Sequence, residues 1–192
     1  MTTYLMHGGM LVIKSASNDA YFKRIADAVP EGGMVLVVLF AALESRWPEL
    51  LEIMKGYIVS AAPDKHINFV QATKENFLNE VAAADAVFMR GGETNRLLEA
   101  LRAYPNLKEA FDGKLVAGSS AGAYAMGTYN YSRSGNKLRD GLNLVPSRVL
   151  CHYESEDPKE ANGAEALATM ESEHQELPLI VLRDGEWKEF TI

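Results

Sequence analysis

A run of small residues in the second half of the chain could form the centre of a catalytic site. Gly118-Ser119-Ser120-Ala121-Gly122 fits the pattern G-x-S-x-G, in which a serine occupies a sharp turn between a strand and a helix. Ser120 is the central serine of the pattern, and Ser119 is the last position of the strand. Flanking glycines let neighbouring backbone approach, and the start of a helix offers unpaired N–H groups to an oxyanion. Because such turns also occur for packing reasons, the pattern alone only suggests a nucleophile.

Two further strand ends carry residues that could work with Ser120. Gly91-Gly92 follows the apolar run Val87-Phe88-Met89, and a glycine at this point lets a backbone N–H face an oxyanion. His152 follows Val149-Leu150-Cys151, where it could act as the general base that a serine hydroxyl needs. On local sequence alone, the two glycines could equally well begin a helix. A single histidine is also more often structural or exposed than catalytic.

The remaining histidines and the single cysteine are weaker candidates. His66 and His174 lie in polar sequence, and His7 precedes two glycines at a strand end. Cys151 neighbours His152 along a strand, so the two side chains point to opposite faces and we expect a buried structural thiol. Metal-ligand spacing is absent from the His, Cys and Asp residues, and neither double glycine completes a phosphate loop. We therefore expect no metal and no cofactor.

The composition is typical of a globular protein with a sizeable core. The 192 residues are 47% hydrophobic and 23% charged, and this length suits one domain over residues 1–192. A net charge of −7 argues against nucleic acid or an anionic membrane surface as the main partner. The N-terminus lacks a signal-peptide pattern, no apolar run approaches the ~20 residues of a membrane span, and one cysteine allows no internal disulfide. We expect a cytoplasmic protein.

Strand and helix patterns alternate along the chain. We predict strands at residues 4–6, 11–13, 34–40, 66–70, 86–89, 115–119, 147–151, 179–182 and 187–192, and helices at 19–29, 47–58, 73–84, from 95, 107–111, 121–126 and 159–170. Asn18 and Thr73 are the predicted N-caps of the first and third helices. The polar stretch 128–139 is predicted to be an exposed loop, and the last two strands an antiparallel hairpin at the sheet edge. The alternation predicts an α/β fold of three layers, a mostly parallel sheet with helices on both faces.

Three segments, in the same order and spacing, resemble the serine peptidases of family S51, which include dipeptidase E and cyanophycinase. Residues 90–98, RGGETNRLL, resemble the family's G-G-x-T-x-x-L-L segment. Residues 118–123, GSSAGA, resemble its nucleophile segment G-x-S-A-G-A. Residues 140–146, DGLNLVP, followed by His152-Tyr153, resemble the segment that leads to the catalytic histidine. The resemblance covers about residues 86–153 well and the flanking pattern more loosely.

This resemblance implies a class I glutamine amidotransferase-like (flavodoxin-like) fold that carries a serine where the amidotransferases carry a cysteine. It implies that Ser120 is the nucleophile, that His152 is the general base, and that the N–H groups of Gly92 and Ala121 form the oxyanion hole. Members of the family cleave after an aspartyl residue, in small N-terminal Asp dipeptides or at the β-linked Asp-Arg units of cyanophycin. They need neither a metal nor an organic cofactor.

The acidic member of the triad is the point at which the sequence departs from the family. Dipeptidase E carries it in the loop after the nucleophile helix, but residues 128–137 contain no carboxylate. Cyanophycinase-like members use a Glu near the C-terminal strands, and residues 182–185, LRDG, resemble that segment. The resemblance therefore points first to Asp184, with Glu154 and Asp140 as alternatives.

Substrate recognition rests on the same resemblance. Thr94 belongs to the matching G-G-x-T segment and is expected to contact the substrate. An aspartyl side chain needs a cation, and Arg133, Arg90 and Arg96 are the candidates near the expected mouth of the site. The chain is short for the family, so a second copy in a homodimer could complete the pocket.

The working hypothesis is a serine peptidase that hydrolyses small peptides through an acyl-enzyme at Ser120. The missing loop carboxylate and the short C-terminus leave an alternative, a catalytically silent amidotransferase-like module that binds a small molecule or protein. An esterase or amidase is a third reading, since a triad and an oxyanion hole serve any acyl transfer.

Overall fold

The computed structural model describes residues 1–132, 134–160 and 162–192. The strands are β1 (Thr3–His7), β2 (Met34–Val38), β3 (Asn68–Gln71), β4 (Ala86–Met89), β5 (Leu115–Ser119), β6 (Tyr129–Ser132), β7 (Lys137–Asp140), β8 (Arg148–Leu150), β9 (Leu179–Val181) and β10 (Trp187–Thr191). The helices are α1 (Ala16–Asp27), α2 (Trp47–Ala61), α3 (Phe77–Ala83), α4 (Thr94–Leu101), α5 (Leu107–Ala110), α6 (Ala121–Met126) and α7 (Gly163–Ser172). Within these described ranges, no helix has both the length and the apolar character that a bilayer span requires.

The main sheet has six strands in the order β10-β1-β5-β4-β2-β3. All neighbours are parallel except β10, which runs antiparallel to β1. The central strands β4 and β5 are buried at every position, as expected for near-continuous apolar or small-residue runs covered on both faces. Helices α1 and α2 pack against each other, and α4 packs against α6. The predicted three-layer α/β fold with a mostly parallel sheet is confirmed.

A second sheet, in the order β7-β6-β8-β9, departs from the sequence prediction in two places. The stretch 128–139, predicted as an exposed loop, forms the antiparallel hairpin of β6 and β7. Its polar residues are satisfied inside the fold, because buried Asn130 donates to Tyr124 O and accepts from the Arg139 side chain. The predicted hairpin of the last two strands is also wrong. Strand β9 pairs in parallel with β8, whereas β10 pairs with β1, so residues 182–186 pass from one sheet to the other.

Several element boundaries also differ from the prediction. Residues 11–13 form a turn rather than a strand, with Ile13 N donating to Met10 O at 3.1 Å. Helix α1 begins three residues earlier than predicted, because Ser15 is its N-cap and accepts from Asn18 N. Thr73 does not cap α3, which begins at Phe77; its N–H and hydroxyl instead donate to the carboxylate of Glu80. Helix α7 begins four residues later than predicted.

Asn18 has a different role, which concerns the loop after β1. His7 is fully buried at the end of β1, and its Nε2 lies 2.8 Å from Asn18 Oδ1. His7 Nδ1 accepts from the N–H of Gly9 at 3.0 Å, so the proton of the neutral imidazole is on Nε2 and is donated to Asn18. The Asn18 amide in turn donates to the carbonyls of Met10 and Ile13. This network fixes the loop of residues 8–13.

Burial lowers the pKa of His7 to about 4, with the hydrogen bond to Asn18 acting in the opposite direction. In the unfolded chain the imidazole titrates near its ordinary value of about 6.5. Between these two values the unfolded state binds more protons than the folded state. The free energy of unfolding must therefore fall as the pH drops from about 6.5 to about 4.

We expect His7 to account for a loss of about 3 kcal/mol over that window. His7→Gln keeps a donor for Asn18 without the titration, so its stability should decline less with acidification than that of the native protein. Chemical denaturation at a series of pH values measures the difference. His66→Gln, at an exposed histidine, should follow the native curve. Equal pH slopes for the native and His7→Gln proteins would contradict the assignment.

Candidate active site

Ser120 is the single residue between the end of β5 and the start of α6. Its backbone has φ 50° and ψ −107°, a conformation that is costly for a residue other than glycine. Two backbone hydrogen bonds hold it there: Ser120 N donates to His7 O at 2.9 Å, and Tyr124 N donates to Ser120 O at 2.8 Å. The predicted strand–serine–helix turn is therefore present and anchored to the neighbouring strand β1.

The glycines on either side of Ser120 are required by close packing. A Cβ on Gly118 would lie 2.6 Å from the carbonyl carbon of Gly122, and a Cβ on Gly122 would lie 2.4 Å from Met89 O. Helix α6 thus lies directly against β4 and β5, with backbone touching backbone. This contact brings the first turn of α6 close to the end of β4, where the Gly91-Gly92 turn begins.

Ser120, His152 and Asp184 form a continuous hydrogen-bonded chain. His152 Nε2 lies 2.9 Å from Ser120 Oγ, and His152 Nδ1 lies 2.6 Å from Asp184 Oδ1. Because a carboxylate only accepts, Nδ1 carries the proton and Nε2 is left to accept from the serine hydroxyl. Ser155 Oγ donates to the second oxygen, Asp184 Oδ2, at 2.5 Å. The side chains of His152 and Asp184 are only 12% and 17% exposed, so little water competes for these bonds.

The loop after β1 holds the imidazole in place. His152 has φ 57°, and its N–H donates to Gly8 O at 3.2 Å. Gly9 lies against the ring, since a Cβ on Gly9 would be 2.0 Å from His152 Cε1. The same loop is tied to the segment that carries Asp184, because Gly8 N donates to Glu186 O and Gly185 N donates to Gly9 O. One loop therefore positions both the imidazole and its carboxylate partner.

The two alternative carboxylates lie elsewhere. Glu154 pairs with Arg183 at 2.7 Å on the exposed surface. Asp140 lies in β7 opposite Tyr129, and its carbonyl accepts from the Arg102 side chain. Among the described residues, Asp184 is the carboxylate that contacts His152. Ser155 and Gly9, which support this contact, were not identified from the sequence; the double glycine at residues 8–9 was a visible signal of a close approach.

Gly92 and Ala121 carry the two N–H groups predicted for the oxyanion hole. Gly92 has φ 153°, and a Cβ there would lie 2.7 Å from Ala41 O. Ala121 is the first residue of α6, where helical N–H groups have no partner within the helix. In the part of the chain that the structure describes, neither N–H donates to a protein acceptor. The Gly91-Gly92 turn is adjacent to the serine, with a Cβ on Gly91 placed 3.1 Å from Ser120 Cβ.

Two cavities open on either side of the serine, and Gly92, Ser120 and His152 border both. The larger, of about 440 Å³, is mainly apolar and is lined by the loop after β1 and by α2, together with two arginines, Arg46 and Arg90. The smaller, of about 230 Å³, is polar and is also lined by Glu93, Thr94, Tyr124, Tyr131, Ser132, Ser134, Arg139 and Glu160. A substrate whose scissile bond lies at Ser120 can therefore extend one part into each cavity.

The candidate cations are distributed unevenly. Arg133 lies outside the described residues, and Arg96 lines neither cavity. Arg90 borders the apolar cavity. Arg139, which the sequence analysis missed, borders the polar one, which Thr94 also lines. A prediction that residues 128–139 form a hairpin with this register would have identified Arg139, because Arg139 lies opposite the buried Asn130.

Arg139 is held by neutral groups. Its Nε donates to Asn130 Oδ1 at 2.9 Å and its Nη1 donates to Asn95 Oδ1 at 2.8 Å. No carboxylate of the described ranges forms an ion pair with it, and burial lowers the pKa of its guanidinium. Glu93 lines the same cavity and acts on Arg139 electrostatically without forming an ion pair with it. The guanidinium therefore keeps donors that an anionic group of a ligand can use.

The donor set of the site fits acid–base chemistry better than metal binding. In residues 1–132, 134–160 and 162–192, no group of three or more His, Cys, Asp or Glu side chains is arranged to hold a metal ion. The Cys151 side chain is buried, with Sγ 3.9 Å from His7 O, as expected for a structural thiol.

Comparison with known proteins agrees with this architecture. The profile of peptidase family S51 matches residues 15–191. A peptidase from an acI-B1 Actinobacterium has a similar structure, with 18% identity, a TM-score of 0.66, and 99% of this chain and 83% of that chain covered. A protein described as a peptidase E from Listeria monocytogenes EGD-e gives 17% identity, a TM-score of 0.67, and coverage of 100% and 99%. None of the curated proteins compared with the chain matches it.

Gly9→Ala tests the role of the loop after β1. The added methyl group would displace the His152 ring, and φ 123° is unfavourable for alanine. A shift of about 1 Å in a catalytic group can lower a rate about a hundredfold. We therefore expect Gly9→Ala to react with a fluorophosphonate probe at least about a hundredfold more slowly, measured by intact mass against time.

The control is Gly32→Ala, which also has a positive φ but meets no atom within 4 Å in the described structure. It should fold and react at the native rate. If Gly9→Ala reacts as fast as Gly32→Ala while both remain folded, the loop does not position the imidazole.

Proposed function

The chain belongs to peptidase family S51, and from this premise we propose that it is a serine peptidase that hydrolyses small peptides at an aspartyl residue. The observation that carries the proposal is the hydrogen-bonded chain from Ser120 Oγ through His152 to Asp184. It is supported by the N–H groups of Gly92 and Ala121 beside the serine, which have no acceptor among the residues that the structure describes. These are the parts that acyl transfer requires: a nucleophile, an oriented base and an oxyanion hole.

The first half of the reaction follows from this geometry. Ser120 Oγ attacks the carbonyl carbon of the scissile bond while His152 Nε2 takes the hydroxyl proton. The carbonyl oxygen becomes an oxyanion that accepts from the N–H groups of Gly92 and Ala121, each worth roughly 3 kcal/mol in comparable sites. Asp184 stabilises the imidazolium that forms. His152 then gives its proton to the leaving nitrogen, the C–N bond breaks, and an acyl ester remains on Ser120.

Water completes the cycle by the same route. His152 takes a proton from a water molecule whose oxygen attacks the ester carbonyl, and the oxyanion again binds in the hole. When this second intermediate collapses, the proton on His152 returns to Ser120 Oγ and the carboxylic acid is released. His152 accepts or donates the proton in every transfer of this scheme.

The proposed aspartyl specificity is supported by the polar cavity. Its volume of about 230 Å³ suits a small side chain, and Arg139 and Thr94 line it. Among the described residues, the hydrogen-bond partners of the Arg139 guanidinium are the side-chain amides of Asn130 and Asn95, so a substrate carboxylate would give it an ion-pair partner. Arg139, in place of the arginines considered from sequence, is the cation that we propose for the aspartyl side chain.

The two alternative functions are weighed by the same contacts. The missing loop carboxylate and the short C-terminus suggested a silent binding module. The contact of Asp184 with His152 weighs against the first of these two reasons. An esterase or amidase would use the same serine, and differs from a peptidase only in what the cavities accept. A panel of ester, amide and Asp-Xaa peptide substrates distinguishes an esterase or amidase from a peptidase.

Hydrolysis of Asp-Leu by the native protein and by Ser120→Ala tests the peptidase directly. We expect kcat/KM to fall by about 10⁴-fold or more in Ser120→Ala and in His152→Ala, because the triad acts as a unit. Ser60→Ala, at an exposed serine of α2, should retain native activity. Undiminished hydrolysis by a folded Ser120→Ala protein would remove the proposal.

Arg139→Met tests the aspartyl subsite. Loss of the charged partner of a desolvated carboxylate should lower kcat/KM for Asp-Leu about a hundredfold, whereas kcat/KM for Asn-Leu should change little. Lys137→Met, an exposed cation of the same hairpin, serves as the control for overall charge. Equal losses on the aspartyl and asparaginyl substrates would assign Arg139 a structural role instead.

A further inference from the structure

The larger cavity has no role yet in the proposed reaction. Leu50, Met54 and Tyr57 of α2 form one side of it, and Leu11 of the loop after β1 forms another. Its volume of about 440 Å³ exceeds that of the polar cavity, and it reaches the serine and the imidazole. An apolar space of this size beside His152 is suited to a bulky apolar group on the side of the scissile bond opposite the aspartyl residue.

Arg90 introduces a positive charge into these apolar surroundings. It follows β4 directly and is half-buried, and its Nη1 donates to Gly91 O at 2.9 Å. Its Nε is buried and has no hydrogen-bond partner among the described residues. Desolvation lowers the pKa of Arg90 and the nearby charge of Arg46 lowers it further, whereas Tyr57 and Glu49 act in the opposite direction. A buried donor without an acceptor is unfavourable unless a ligand supplies the acceptor.

Other nearby charges do not satisfy Arg90. Arg46 also borders the cavity, but its own guanidinium pairs with Glu49 at 3.1 Å on the exposed start of α2. No carboxylate in the described ranges is within ion-pair distance of Arg90. The apolar cavity therefore presents one guanidinium that is available for an anion.

We propose that this cavity binds the residue after the scissile bond, that this residue is large and apolar, and that Arg90 binds its free C-terminal carboxylate. The inference rests on the proposed function, in which the aspartyl residue fills the polar cavity. The leaving residue of a dipeptide carries both an apolar side chain and a carboxylate, which matches the two properties of the cavity. The preferred substrates are then dipeptides with a bulky apolar second residue.

Arg90 also contacts the oxyanion hole, and a test has to separate the two effects. Its partner Gly91 O belongs to the same peptide unit as the Gly92 N–H, so Arg90 could orient or polarise that donor. An effect through the peptide unit would change the rate on every substrate alike. An effect through the substrate carboxylate disappears when that carboxylate is amidated.

The experiment compares Asp-Leu with Asp-Leu amide in native, Arg90→Met and Lys55→Met proteins. We expect the native kcat/KM to be at least about thirtyfold higher for the free acid than for the amide, and higher for Asp-Leu than for Asp-Gly. Arg90→Met should lower this acid-to-amide ratio to about one. Lys55→Met removes an exposed charge from α2 and should keep the native ratio. An unchanged ratio in Arg90→Met, or a native ratio near one, would overturn the proposal.

Binding to inactive protein distinguishes failure of the subsite from failure of the peptidase. Calorimetric titration of Ser120→Ala and of Ser120→Ala with Arg90→Met measures Kd for the acid and for the amide. The first protein should bind the acid at least about tenfold more tightly, and the second should bind both equally. If the native protein hydrolyses neither peptide but this Kd pattern holds, the peptidase proposal fails and the subsite stands. Equal Kd values in the Ser120→Ala protein overturn the subsite.

Discussion

The strained backbone of Ser120 is the constraint on which the rest of the site depends. A serine at φ 50° and ψ −107° persists only when its surroundings hold it, and both neighbouring strands contribute to this. Strand β1 supplies the acceptor for Ser120 N, and β4 provides the surface on which Gly122 lies. The same two strands lead into residues 8–9 and 91–92. The contacts that hold the serine therefore also bring to it the loop behind the imidazole and the turn that carries the Gly92 N–H.

The second constraint is the passage of the chain between the two sheets. Strands β8 and β9 are parallel neighbours, so the residues after them, which include His152 and Asp184, emerge side by side. The chain then turns back to pair β10 with β1 at the edge of the main sheet. This path lets the carboxylate reach Nδ1 while the loop after β1 lies against the ring. The small sheet also contributes the hairpin that carries Arg139, so it lines the polar cavity as well.

The sequence predicted the elements whose signal is local. The apolar strands, the small-residue turn at Ser120, the double glycine after β4 and the position of His152 after an apolar strand each follow from short patterns. The family resemblance indicated Asp184. What it missed depends on side-chain pairs that no short sequence pattern records. Residues 128–139 are polar and resemble a loop, but Asn130 and Arg139 satisfy each other across a hairpin. Asparagine is a residue type that N-cap positions favour, but Ser15 caps this helix. The side chain of Asn18 instead points inward and contacts His7.

Trapping the acyl-enzyme tests the central claim most directly. Native protein mixed with a chromogenic ester of aspartic acid, quenched in acid and digested, should carry one aspartyl group per chain on the peptide that contains Ser120. The chromophore should appear in an initial burst of about the same amount, because acylation releases it before the ester is hydrolysed. An acyl group on a different residue, or turnover of the ester by folded Ser120→Ala protein at the native rate, would contradict the account.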